Sequence, residues 1–195
     1  MSTKVNLKRC VIRSVAVLGF ENASIKSIAQ EAGTSVSTIY CHYKNKEEMF
    51  EKTFMYLAHV FCEFYATDAS DLVSDDKEAS IHRLWQRYLD FFLSKPDEVL
   101  FYVRYRHSAY YTEDIRLRVQ AYEAQYFQAT GEIAKLFGLR QENGSAAQVL
   151  RFFVETLLLY AEQLLLGKAT KEHNDLAFRA TYGAMTALED AIVSG

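Results

Sequence analysis

Between Ser24 and Lys46 the chain sets hydroxyl, imidazole and ammonium groups at short intervals: Ser24, Lys26, Ser35, Ser37, Thr38, Tyr40, His42 and Lys46. Groups of this kind donate hydrogen bonds to anionic oxygens, and a cluster of them suits phosphate. Nothing comparable supports bond-breaking chemistry. There is no nucleophile elbow, no Walker loop and no HExxH pair, and Gly167-Lys168-Ala169-Thr170 ends like a phosphate loop but lacks its first glycine. No enzymatic activity and no cofactor are therefore expected. His59, Cys62 and Glu63 fall on one side of a helix at i, i+3 and i+4, a spacing that can ligate a metal. A single helical cluster without a second contributing element rarely completes coordination, so no metal is expected either.

The elements that position the polar cluster can be read from apolar spacing. A first helix is predicted from about Lys4 to Leu18, where Leu7, Val11, Ser14, Val15 and Leu18 share a face; Gly19 ends it and Phe20 turns back to the core. Ser24 caps a short second helix that buries Ile25, Ile28, Ala29 and Ala32 and stops at Gly33. After Gly33-Thr34-Ser35, Ser35 caps a third helix with Ile39 and Tyr43 inward and Ser37, Thr38, Tyr40 and Cys41 outward. Two short helices joined by a tight Gly-containing turn make a helix-turn-helix. Asn45 and Glu48 form a capping box for a fourth helix reaching about Ala66. The polar stretch from Thr67 to Lys77 reads as a linker. Five further helical segments follow, over Glu78–Ser94, Pro96–Ala109, Glu113–Phe137 with a bend at Gly131, Ser145–Leu166 and Lys171–Val193.

The expected fold class is all-α, with a three-helix head carrying the helix-turn-helix and a larger helical bundle, about nine helices together. One proline and eight glycines in 195 residues leave few enforced breaks, and half of the chain is apolar, enough for a substantial core. The division is placed at residues 1–48 for the head and 49–195 for the body. The formal net charge of −3 conceals an asymmetry: residues 1–55 carry eight Lys/Arg against five Asp/Glu, the remainder fourteen against twenty. A basic module on an acidic body suits a phosphate-binding head, since neutralisation needs local positive charge. Apolar runs such as Leu157–Ala161 fall far short of the roughly 20 residues of a membrane span, and no signal peptide is evident. Three cysteines, Cys10, Cys41 and Cys62, without a CxxC pair fit free thiols in a reducing compartment, and a cytoplasmic location is expected.

Residues 24–50, SIKSIAQEAGTSVSTIYCHYKNKEEMF, resemble the DNA-binding signature of the TetR family, in which an "IA" helix leads to Gly, a short turn, Thr-aliphatic-Tyr-x-His-aromatic and a Lys-Glu-Glu run. The likeness extends over residues 4–55; beyond them the chain is similar to the family in size and helical content. It implies a DNA-binding transcriptional regulator, a homodimer, a small-molecule effector and double-stranded operator DNA as partner. The residues at the matching positions then take roles. Thr38 and Tyr40 donate to phosphates and set the angle of the third helix in the major groove; His42 and Lys46 meet a phosphate at the start of the next helix. Val36 and Ser37 read base edges, Lys26 joins either group, and Ser24 and Ser35 complete the set at the helix starts. Val36 and Ser37 depart from the commoner pattern of a polar or basic residue followed by Gly or Ala, and Thr34 replaces a usual Val, so the operator sequence is not specified.

In the last predicted helix Ala177, Ala180, Ala184, Ala187 and Ala191 recur at steps of 3, 4, 3 and 4, the pattern of a close helix–helix seam, and are assigned to a dimer interface. Eleven of the thirteen tyrosines follow residue 55. His59, Trp85, Tyr88, Tyr102, His107, Tyr122, Tyr126 and Phe152 are the candidates to line a site for a small hydrophobic or aromatic ligand, with plain core packing the competing reading of each. Arg104, Arg106, His107 and Tyr110 can orient an anionic or hydroxylated ligand or face solvent. The expected activity is repression, relieved by that ligand. The alternative is a helical small-molecule-binding or partner-binding protein whose head no longer reads DNA.

Overall fold

The computed structural model describes residues 3–129 and 145–194. Among these the chain forms nine α-helices and no strand: α1 Thr3–Asn22, α2 Ile25–Glu31, α3 Val36–His42, α4 Lys46–Tyr65, α5 Lys77–Leu93, α6 Pro96–Arg106, α7 Glu113–Ala129, α8 Ser145–Leu165 and α9 Asn174–Ser194. Short 3-10 turns occupy Ser70–Leu72 and Lys171–His173. The all-α expectation holds, and most boundaries fall within a few residues of those read from periodicity. The expected bend at Gly131 and the end of the Glu113–Phe137 helix lie outside the described residues.

Local chemistry accounts for the breaks. Gly19 leaves helical geometry at φ 76° and ψ 168°, after which α1 resumes for one more turn to Asn22 instead of ending at Leu18. Gly33 has φ 64°, and the Thr34 N–H reaches back to the Ala29 carbonyl at 2.9 Å while the Gly33 N–H bonds Gln30. That pair of bonds is a Schellman stop, which a side chain at Gly33 would strain. The linker Thr67–Lys77 contains the Ser70–Leu72 turn, pinned by the Asp68 carboxylate, which accepts from the Ser70 N–H at 2.9 Å.

The contacts gather into two compact units that interleave along the chain. One comprises residues 1–60 and 95–119, the other residues 61–94 and 120–195. In the first, α6 packs on α1, and the head therefore shares its core with helices from later in the sequence. Phe20 is buried there with its ring centroid 5.0 Å from Phe50, 5.6 Å from Phe101 and 5.8 Å from Tyr105. Phe54 stacks on Tyr105 at 4.3 Å and on Tyr102 at 4.8 Å. Each such ring, taken from water, contributes on the order of 1.5–3 kcal/mol. In the second unit α8 packs on α5 and α9 around Trp85, Phe92, Phe153, Leu157 and Phe178. The indole of Trp85 is wholly buried, and its N–H is satisfied by the Asn174 side-chain oxygen at 2.8 Å.

Candidate nucleic-acid interface

The helix-turn-helix is built by two capped helices. The Ser24 hydroxyl accepts from the Ser27 N–H at 3.0 Å while the Ser27 hydroxyl accepts from the Ser24 N–H at 3.1 Å, a reciprocal cap that uses serine where glutamate is commoner. Asn6 of α1 donates to the Ala32 carbonyl at 3.1 Å and holds the far end of α2. The S-x-x-S spacing signals the Ser27 role in the sequence; nothing local signals the Asn6 tie.

α3 has one fully buried side chain, Ile39, and Tyr43 at its C-terminal cap is also buried. The other side faces out: Ser35, Val36, Ser37, Cys41 and His42 are exposed, Tyr40 is 51% exposed and Thr38 partly so. The Ser35 hydroxyl lies 2.7 Å from that of Ser37 and 2.9 Å from that of Thr38, and it accepts from the Thr38 N–H at 3.1 Å. Three rotatable hydroxyls thus stand at the start of an exposed helix with Tyr40 beyond them, and each can turn a donor outward. Ser24 and Lys26 are exposed at the start of α2.

Lys46 has a second role that the sequence did not disclose. Its ammonium donates to the Phe20 carbonyl at 3.0 Å and lies 5.3 Å from the Phe50 ring centroid, so it ties the first turn of α4 to the end of α1. The α4 start is capped as expected by Asn45, whose side-chain oxygen accepts from the Glu48 N–H at 2.8 Å. The Glu48 carboxylate turns instead to the Lys44 N–H, and that bond, then the Lys52 ammonium, holds its pKa below the ordinary carboxylate value.

The aromatic residues assigned to a ligand site belong to both compact units. In the first unit Tyr102 is buried against Phe54, His59 is half-buried and His107 is exposed. In the second, Trp85 and Tyr88 are buried with ring centroids 5.8 and 6.4 Å from that of Phe153, and the Tyr88 hydroxyl donates to the Tyr65 carbonyl at 3.2 Å. Tyr122 and Tyr126 are half-buried partners with centroids 5.2 Å apart, and Phe152 is half-buried. Two surface clefts of about 490 and 450 Å³ are lined by none of the eight. Arg104 is occupied by main-chain carbonyls of α1. Of the alanines assigned to a seam, Ala180, Ala184, Ala187 and Ala191 are exposed and Ala177 half-buried. Among the described residues no cluster of His, Cys, Asp and Glu could hold a metal, and no helix is long and apolar enough to cross a membrane.

A capped helix-turn-helix with an exposed polar outer side, set on an otherwise all-helical chain, defines a DNA-binding protein of the helix-turn-helix class. Residues 14–53 match the family of bacterial regulatory proteins, tetR family. The whole fold is similar to a TetR family transcription regulator from Marinobacter aquaeolei, at 26% identity over 93% of this chain and 94% of that one with a TM-score of 0.69. It is also similar in fold to a TetR-family transcriptional regulator from Haemophilus influenzae (17% identity, 93% and 95% covered, TM-score 0.65) and to a TetR-like transcriptional regulator from a Rhodococcus species (16% identity, 99% and 96% covered, TM-score 0.61). The chain thus carries a tetR-family match over residues 14–53 and has the fold of TetR-family transcription regulators.

Proposed function

We propose that the chain is a homodimeric repressor whose two heads, residues 1–48, occupy successive major-groove faces of a palindromic operator, and which a small hydrophobic or aromatic ligand binding within residues 49–195 releases. The observation that carries the DNA reading is the division of α3: Ile39 is completely buried while Ser35, Val36, Ser37, Tyr40 and His42 on the remaining sides are exposed. Thr38 and Tyr40 position the helix on phosphates, and Val36 and Ser37, with Lys26, read base edges. Lys46 supports the head through Phe20 and presents charge at the same rim.

The exposed alanine stripe of α9 supports dimerisation, because small side chains let two helices approach closely. Displacement of α4, whose first turn continues directly from the head, is the route by which ligand binding changes the separation of two heads. By linkage the ligand binds the DNA-incompetent state more tightly, and DNA weakens ligand binding by the same factor.

The test is titration of labelled upstream DNA fragments with the protein at moderate salt. A preferred fragment is expected to bind with at least tenfold preference over random duplex, and Tyr40→Ala to lower that affinity by roughly fivefold, the loss of one hydrogen bond of about 1 kcal/mol. Equal binding of all duplexes, unchanged in the variant, would remove the repressor reading.

A further inference from the structure

The cleft of about 490 Å³ in the second compact unit lies between the first turns of α5 and α9 and is lined by Asp76, Glu78, Ala79, His82, Asp175, Phe178 and Arg179. Its size falls within the range of small-molecule sites, roughly 300–1,000 Å³. Two rings line the cleft: Phe178 is buried and the His82 ring lies 4.5 Å from it, while Tyr182, outside the lining, stacks on Phe178 at 5.8 Å. Around the two lining rings stand three carboxylates against one guanidinium, with His82 as the remaining titratable group.

The carboxylates are unevenly engaged. Asp76 accepts from the Ala79 N–H at 3.0 Å as the cap of α5, and Asp175 lies 3.6 Å from the His82 Nε2. Glu78 has no hydrogen bond or ion pair among the described residues. Among the described residues, the Arg179 side chain donates to the Asp175 carbonyl alone, at 3.4 Å. The neighbouring Lys77 ammonium pairs with the Glu189 carboxylate at 3.1 Å. The field is felt at Tyr182, whose pKa is raised first by burial and then by Glu78, Asp76 and Glu189.

We infer that this cleft binds a small organic cation with an aromatic or apolar body, its charge set between Glu78 and Asp175 and its body on Phe178 and His82. A cation within about 6 Å of an aromatic face gains from the ring quadrupole as well as from nearby carboxylates. The site does not compete with the proposed dimer. At about 100° per residue, Asp175, Phe178, Arg179 and Tyr182 lie on the side of α9 nearly opposite Ala180, Ala184, Ala187 and Ala191. The inference is independent of the DNA reading.

Calorimetric titration of the full-length chain with benzyltrimethylammonium, and with phenylacetate as an anionic probe of similar size, tests it. The cation is expected to bind saturably in the millimolar range or below and phenylacetate not to bind. Glu78→Gln and Asp175→Asn, both on exposed residues, should each weaken the cation about two- to fivefold, as expected for exposed charge pairs. Arg179→Ala should strengthen it by a similar factor, a gain that misfolding cannot produce. Absence of saturable cation binding, equal binding of the two probes, or affinity indifferent to all three substitutions would overturn the assignment. Operator titration, run separately, is unaffected by any of these results.

Discussion

The guanidinium of Arg104 in α6 donates to the main-chain carbonyl of Val15 in α1 at 2.9 Å, and the same nitrogen reaches the next carbonyl, Ala16, at 2.7 Å. These carbonyls lie just before Gly19, where α1 leaves helical geometry. A cation at the C-terminal side of a helical stretch also meets the negative end of its dipole. Arg104 is thereby a positioning residue for the helix on which the head is built.

Arg104→Ala is expected to destabilise the protein by about 2 kcal/mol, the scale of hydrogen bonds made by a charged donor. Arg104→Lys should recover part of that loss, since an ammonium keeps the charge and three donors but sits on a shorter side chain and is more strongly hydrated. Chemical denaturation reads both. Equal stability of Arg104→Ala and the parent protein would show that the clamp contributes nothing.

Tyr43 raises an opposite expectation. It is 2% exposed, and its hydroxyl is buried without a hydrogen-bond partner. Burial, then Glu48, raises its pKa above the ordinary tyrosine value. An orphaned buried hydroxyl costs free energy that the phenylalanine ring avoids. Tyr43→Phe should raise the denaturation midpoint by the equivalent of about 1 kcal/mol while leaving operator affinity unchanged; a lowered midpoint would mean that the hydroxyl is satisfied in solution.

The three thiols should separate by reactivity. Cys41 is exposed on α3, whereas Cys10 and Cys62 are buried, and burial, with Glu123 secondary, pushes the Cys62 thiol from 9.0 up to about 12. A thiol reagent at pH 8 is expected to modify one cysteine quickly and two only as the protein opens, and prior occupation by operator DNA should slow the fast one. The same shift sets a pH trend. In the unfolded chain the Cys62 thiol ionises near 9, in the folded chain near 12, so the folded state holds the extra proton in between and stability falls as pH rises through that window. Tyr88 and Tyr105, also raised, first by burial, act in the same direction. A denaturation midpoint that rises between pH 9 and 11 would contradict this.

Ala184 is exposed midway along the alanine stripe. If the stripe forms the proposed dimer seam, Ala184→Glu should leave the helical content and the single-chain fold intact but shift the protein from dimer to monomer at micromolar concentration, because it would bring two carboxylates together between closely packed helices. Sedimentation velocity distinguishes the species. An unaltered dimer would move the interface to another surface.

What could be read from the sequence was whatever depends on near neighbours along the chain. Ser24, Ser35 and Asn45 cap because a hydroxyl or amide oxygen reaches an N–H three residues on; Gly33 stops a helix because it alone accepts φ 64° without strain; Ile39 faces in and Tyr40 out because a helix turns about 100° per residue. These local rules were enough to locate the head and its outward side. Tertiary structure decided the rest: Arg104 is drawn to carbonyls 88 and 89 residues earlier, Lys46 to one 26 residues earlier, and the Tyr43 hydroxyl is sealed without a partner. The aromatic candidates show the same limit, since periodicity establishes that Trp85, Tyr88 and Tyr102 turn inward but not which neighbours meet them. Which distant groups come together depends on how the helices pack, a property of the whole chain that no spacing of a few residues encodes.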